Sequence, residues 1–164
     1  MGSDTRQVFL DSDEATAALA AALAPVLRAG DTLLLDGPVG AGKTAFARAL
    51  IQARMAATGP VEDVPSPSFA LVQVYDLPDL TVWHVDLYRL EGVTDTVELG
   101  LDEAFETALC LVEWPERLGD ALPPDAARLT FSYGADAGTR HLTVTLPPGD
   151  LHQRLAPVLD DPAR

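Results

Sequence analysis

The stretch LLLDGPVGAGKTAFARALI, residues 33–51, decides the fold. An apolar run closes on Asp36, a glycine-rich loop follows, and Lys43-Thr44 opens an amphipathic segment. The short continuous run TLLLD (32–36) predicts a buried strand, and the spacing from Lys43 to Ala57 predicts a helix that stops at TGP. Between them, Gly37 to Thr44 matches the phosphate-binding pattern of glycine, four residues, then Gly-Lys-Thr. Gly37, Gly40 and Gly42 let the backbone turn its N–H groups inward around a phosphate, at the positive end of the following helix. Lys43 is the only lysine in the chain; the other basic residues are all arginine. Its compact charge reaches between the β- and γ-phosphates, where the planar fork of arginine does not fit. Thr44 offers a hydroxyl to a magnesium ion.

Such a loop needs an acidic element to hold magnesium and orient an attacking water. In TVWHVDLYRL (81–90), strand alternation places Val82, His84 and Asp86 on one face, and Asp86 stands where the apolar run stops. In LCLVEWPE (109–116), Glu113 ends an apolar run in the same way. Open α/β sheets bind ligands along that edge, so both carboxylates are candidates for metal ligation and catalysis beside Lys43. Only Glu113 is followed by Trp-Pro, and Pro115 is expected to push Trp114 toward extended geometry. His84 reads either as a hydrogen-bonded core histidine or as a residue positioning Asp86 or the γ-phosphate. Trp83 and Trp114 read as core or rim packing. Ser66 and Ser68 lie in the proline-punctuated loop EDVPSPSF (62–69), where their hydroxyls could sense a phosphate.

Working outward, DSDEATAALAAALAPVLRAG (11–30) predicts one helix with Gly30 as its C-cap. FALVQVYD and LTVWHVD read as strands, TDTVELGLDEAFE (94–106) as a helix, LCLVEW as a buried strand, and RLTFSYG with RHLTVTLP as a hairpin before a short C-terminal segment. The expected class is α/β: a P-loop NTPase-like three-layer fold with a central, mostly parallel sheet, flanking helices and a C-terminal β-hairpin. With 164 residues and no linker, 1–164 reads as one domain with short flexible ends at 1–6 and 160–164. The net charge of −14 and pI near 4.3, without a basic stripe, exclude general binding to tRNA or to an anionic membrane. Cys110 lies in an apolar run and has no partner for an internal disulfide. No stretch approaches the roughly 18 apolar residues of a membrane span, and MGSDTRQ has no signal core. The expected location is the cytoplasm.

GPVGAGKT, SPSFALVQVY, HVDLYRL, ELGLDE and LVEWPERL together resemble the TsaE (YjeE) family of bacterial ATPases for tRNA threonylcarbamoyladenosine biosynthesis, over roughly residues 8 to 146. The resemblance implies ATP and Mg2+ as ligands and the proteins TsaD and TsaB as partners, TsaD being the subunit that modifies the adenosine beside the anticodon. It implies that Gly40, Ala41, Gly42, Lys43 and Thr44 hold the triphosphate, flanked by Gly37 and Ala45, and that Thr44 and Glu113 occupy magnesium positions, with Asp86 in the second signature. By the same resemblance Asp11–Asp13, centred on Ser12, lie near the adenine, and Thr139–Arg140 reach the nucleotide from the hairpin. The family usually carries threonine at the position of Ser68 and Asp-Leu at Pro38-Val39; neither change removes a group that phosphate binding needs. A partner-gated ATPase is the leading reading, with slow turnover of its own expected because no arginine finger stands out and Arg89 and Arg117 are the candidates for one. A small-molecule kinase and a nucleotide-gated binding module are the alternatives.

Overall fold

Alternation along the buried strands sets the layers. In a computed structural model, described for residues 2–67, 70–90 and 99–161, strand β2 (Thr32–Asp36) turns Leu33 and Leu35 to one side and Leu34 to the other. Strand β5 (Leu109–Glu113) does the same with Leu109 and Leu111 against Cys110 and Val112. Because both faces are covered, these strands read as unbroken apolar runs. The remaining strands are β1 (Asp4–Leu10), β3 (Val72–Leu77), β4 (Leu80–Asp86), β6 (Ala127–Tyr133) and β7 (Arg140–Leu146). The seven strands form one sheet in the order β1-β7-β6-β2-β5-β4-β3. The central β6, β2, β5 and β4 run parallel, whereas β1, β7 and β3 pair antiparallel at the flanks.

One face carries α1 (Asp13–Leu23), α2 (Lys43–Thr58) and α4 (Asp150–Asp160); the other is covered by α3 (Leu101–Thr107) and the 3-10 segment Pro115–Ala121. Helix α2 crosses the sheet centre and buries Phe46, Ala47, Leu50, Ile51 and Met55 against it. Each large apolar side chain of this kind contributes about 1.5–3 kcal/mol by leaving water. The observed architecture is the expected three-layer, P-loop NTPase-like fold.

Several local expectations change. The helix expected over 11–30 ends at Leu23, because Pro25 lacks an N–H and its ring clashes with the preceding turn. The chain tightens into 3-10 geometry over Ala24–Val26 and becomes extended at Leu27. Gly30 is therefore not a helix cap; at φ +92 it turns the chain into β2 and donates its N–H to the Ala108 carbonyl. Asp4 to Arg6, expected in a loose end, are paired with Leu146 to Val144 in β1 and β7. The short C-terminal segment is an 11-residue helix. Residues 94–98 of the helix expected over 94–106, Ser68, and the start of FALVQVYD at Phe69 lie outside the described residues.

Candidate functional site

Strand β2 delivers the chain to the C-terminal edge of the parallel strands, where Asp36 fixes the start of the loop. Its Oδ1 accepts the Gly37 N–H at 2.9 Å and its Oδ2 accepts Arg128 at 3.0 Å. Gly37 has φ +132, and a Cβ there would lie 2.4 Å from the Phe131 carbonyl oxygen. This glycine is thus demanded by the close passage of β6, a requirement the loop pattern alone does not reveal. Gly42, left-handed at φ +111, opens α2 and directs the first turn of that helix into the loop. Ala41 is buried and donates its N–H to the Pro38 carbonyl, while Ala45 sits on the cleft wall.

Lys43 is buried, donates from Nζ to the Gly37 carbonyl at 2.5 Å, and lies 3.4 Å from the centroid of the Trp114 ring. Burial pushes its pKa below the ordinary lysine value, against the opposing pull of Glu113, Glu116, Asp86 and Asp36. Trp114 differs from its expectation: it stands at φ 59, ψ 51, left-handed rather than extended. Such a backbone costs a non-glycine residue on the order of 1–3 kcal/mol and persists only where surrounding contacts hold it. Here those contacts are the Lys43 ammonium on the indole and the Tyr88 ring 4.9 Å away.

Glu113 closes β5 fully buried. Its Oε1 accepts the Thr44 hydroxyl at 2.7 Å, and its Oε2 lies 2.7 Å from His84 Nε2. Asp86 stands beside Glu113 across the parallel β4–β5 pair, also buried, with Oδ1 accepting the Tyr88 N–H at 3.0 Å. His84 is buried and hydrogen-bonded, and its partner is Glu113. A hydroxyl and two carboxylates suit magnesium, which takes one or two carboxylates and completes its shell with water and phosphate. Among the described residues there is no cluster of three or more His, Cys, Asp or Glu that would form an all-protein cage.

The hairpin grips the loop from behind. Arg140 donates from Nε to the Ala41 carbonyl at 3.1 Å and from Nη2 to the Gly40 carbonyl at 3.0 Å, and the Tyr133 hydroxyl donates to the Val39 carbonyl. Arg140 thus lines the cleft while its hydrogen bonds go to the loop and to the Thr139 carbonyl. Tyr133 was not singled out by sequence reasoning, since only the β6–β7 pairing brings it to the loop. Ser12 caps α1: its Oγ accepts the Ala15 N–H at 3.1 Å and donates to Asp11. The neighbouring Asp13 is the residue of that stretch on the cleft wall. The cleft encloses about 780 Å³ and is also bordered by Ser66, Arg48 and Arg89; Arg117 is not on its wall. That volume lies in the range of small-ligand sites.

A strand, a glycine-rich loop and a helix at the centre of a parallel sheet, with a carboxylate ending the adjacent strand, place the molecule in the P-loop NTPase-like class. Residues 10–142 match the family model described as "Threonylcarbamoyl adenosine biosynthesis protein TsaE", and the chain belongs to the TsaE family. It is similar to the tRNA threonylcarbamoyladenosine biosynthesis protein TsaE of Rickettsia bellii, 40% identical over 71% of this chain and 79% of that one. It is likewise similar to the TsaE protein of Bacillus subtilis, 34% identical over 80% of each chain. The crystal structure of Bacillus subtilis YdiB superposes with a TM-score of 0.80 at 25% identity, over 100% of this chain and 99% of that one. No helix among the described residues is long and apolar enough to cross a membrane.

Proposed function

We propose that this chain is an ATP-binding and ATP-hydrolysing subunit of tRNA threonylcarbamoyladenosine synthesis in the cytoplasm. In this reading it acts by binding and cycling the TsaB–TsaD pair, and it does not itself modify or grip tRNA. The observation that carries the reading is the Thr44–Glu113 contact at the head of α2, one residue from Lys43. Loop N–H groups and the first turn of α2 receive the phosphates. Lys43 is held by a single carbonyl and is partly desolvated, so an arriving phosphate replaces a weak partner with a full anion. Thr44 and Glu113 would hold Mg2+ directly, and Asp86 would reach it through water. When bound, the metal supplies neutralising charge at the β- and γ-phosphates. Glu113 and Asp86 accept hydrogen bonds from the water that attacks.

Phosphate release from ATP, measured with and without TsaB–TsaD, tests the reading. Slow turnover alone and stimulated turnover with partners are expected, and Lys43→Ala abolishes both while greatly weakening nucleotide affinity and leaving the fold intact. A phosphorylated small-molecule product would replace this reading with a kinase. Partner binding without turnover would leave a nucleotide-gated module. An unchanged ATP titration in Lys43→Ala would remove the loop from the site.

A further inference from the structure

His84 is fully buried on β4, on the face it shares with Val82, which belongs to the apolar core that α2 covers. Its Nε2 lies 2.7 Å from Glu113 Oε2, and its Nδ1 is buried with no hydrogen-bond partner among the described residues. Only Nε2 faces an acceptor, so the ring presents an N–H to Glu113. A buried, unpartnered ring nitrogen costs stability, and an aliphatic residue of similar volume would fill the same space without that cost. Nε2–H does one thing an aliphatic residue cannot: it donates to Glu113.

The terminal torsion of a glutamate is soft, so an isolated carboxylate turns freely about it. With Oε2 held by His84, Oε1 is presented to Thr44, and the carboxylate plane is set from beneath the cleft. We infer that His84 is a positioning residue: its Nε2–H locks the Glu113 carboxylate in the orientation that, with Thr44, completes a divalent-cation site. This rests on the reading of Thr44 and Glu113 as magnesium-holding groups. Partners that orient a ligating carboxylate commonly change metal affinity or activity by about 10–100-fold when removed.

The test is ADP binding by calorimetry, with EDTA and with magnesium, on full-length wild type and on His84→Leu, His84→Gln and His84→Asn, beside partner-stimulated turnover. The glutamine amide nitrogen falls near the position of Nε2, and that of asparagine falls near Nδ1. For His84→Leu, affinity in EDTA stays within about twofold of wild type, the gain on adding magnesium falls at least about tenfold, and kcat falls about 10–100-fold with KM little changed. His84→Gln recovers most of the magnesium gain and His84→Asn does not. A full magnesium gain in His84→Leu overturns the inference. Should His84→Leu fail to fold, equal behaviour of the glutamine and asparagine variants overturns it. Wild type without any magnesium gain overturns the cation site itself, a failure visible before any variant is compared.

Discussion

The two ends of β2 both bury charge, and they handle it in opposite ways. Below the strand, Asp31 is enclosed by donors: Arg154 contacts both of its oxygens at 2.7 and 2.8 Å, and the Arg28 N–H reaches it at 2.7 Å. Arg154 is spent as well, on the Val26 carbonyl and on Asp150. Nothing there is left over for a ligand. Above the strand, Lys43 has one carbonyl and an indole, Trp114 holds a left-handed backbone, and His84 keeps a bare ring nitrogen. A closed ion network is a structural fastening, whereas incompletely satisfied charge and local strain mark the end of the sheet built to receive something.

The largest effect should come from opening the closed end. Arg154→Leu leaves Asp31 buried without its main partner, and removing one member of such a pair costs about 3–5 kcal/mol. For a chain of this size that lowers Tm by roughly 10 °C. Nucleotide affinity at temperatures where the variant is folded should be unchanged, because the pair lies at the opposite end of β2 from the loop. Calorimetric melting beside an ADP titration checks both, and a loss of affinity as large as the loss of stability would break the contrast between the ends.

Next comes the open end. Glu113 touches Thr44 directly, whereas Asp86 accepts the Tyr88 N–H. Glu113→Ala should lower partner-stimulated turnover on the order of 10²-fold, comparable to removing one preorganised electrostatic group. ATP affinity should fall much less, because the loop and Lys43 remain. Asp86→Ala should be the milder variant in turnover. Near-normal turnover in Glu113→Ala, with loss in Asp86→Ala, would reverse the two roles.

How much of this was readable in advance depends on how local each feature is. The loop, its lysine and the strand-ending carboxylates are written in a few consecutive residues, and strands β2 and β5 follow from short continuous apolar runs, as strands covered on both faces show. The His84–Glu113 bond was not readable, because it needs β4 laid parallel to β5 to join residues 29 apart in the chain. Strand β1 has the alternation of an edge strand, but its partner β7 lies at the far end of the chain. The left-handed Trp114 contradicts the local preference of a residue before proline, and only the tertiary contacts with Lys43 and Tyr88 account for it. The early end of α1 was legible in Pro25 and was missed because the alanine-leucine pattern runs on past it.

The smallest effect lies at the molecule's margin, and it sharpens the contrast from outside. Asp4, on the edge strand, accepts from His152 of α4 at 2.8 Å and from Arg6 at 2.6 Å, while Arg6 also reaches Asp160. These hydrogen bonds, that of His152 first, hold the Asp4 carboxyl below its ordinary value of 3.8. The sign follows from linkage: a carboxyl whose pKa is lower in the folded state adds stability above its unfolded pKa, and that stability disappears as pH falls through the folded value. Asp4→Asn should therefore melt slightly lower than wild type at pH 7 and converge with it below about pH 3. The group is solvent-exposed, so the gap should be small and shrink with added salt. Melting curves of the two proteins from pH 7 to pH 2.5 decide it. A gap that widens on acidification would mean that Asp4 is not the group fastening β1 to α4. A gap as large as that of Arg154→Leu would mean that the edge strand, and not the Asp31 network, closes the lower end of the sheet.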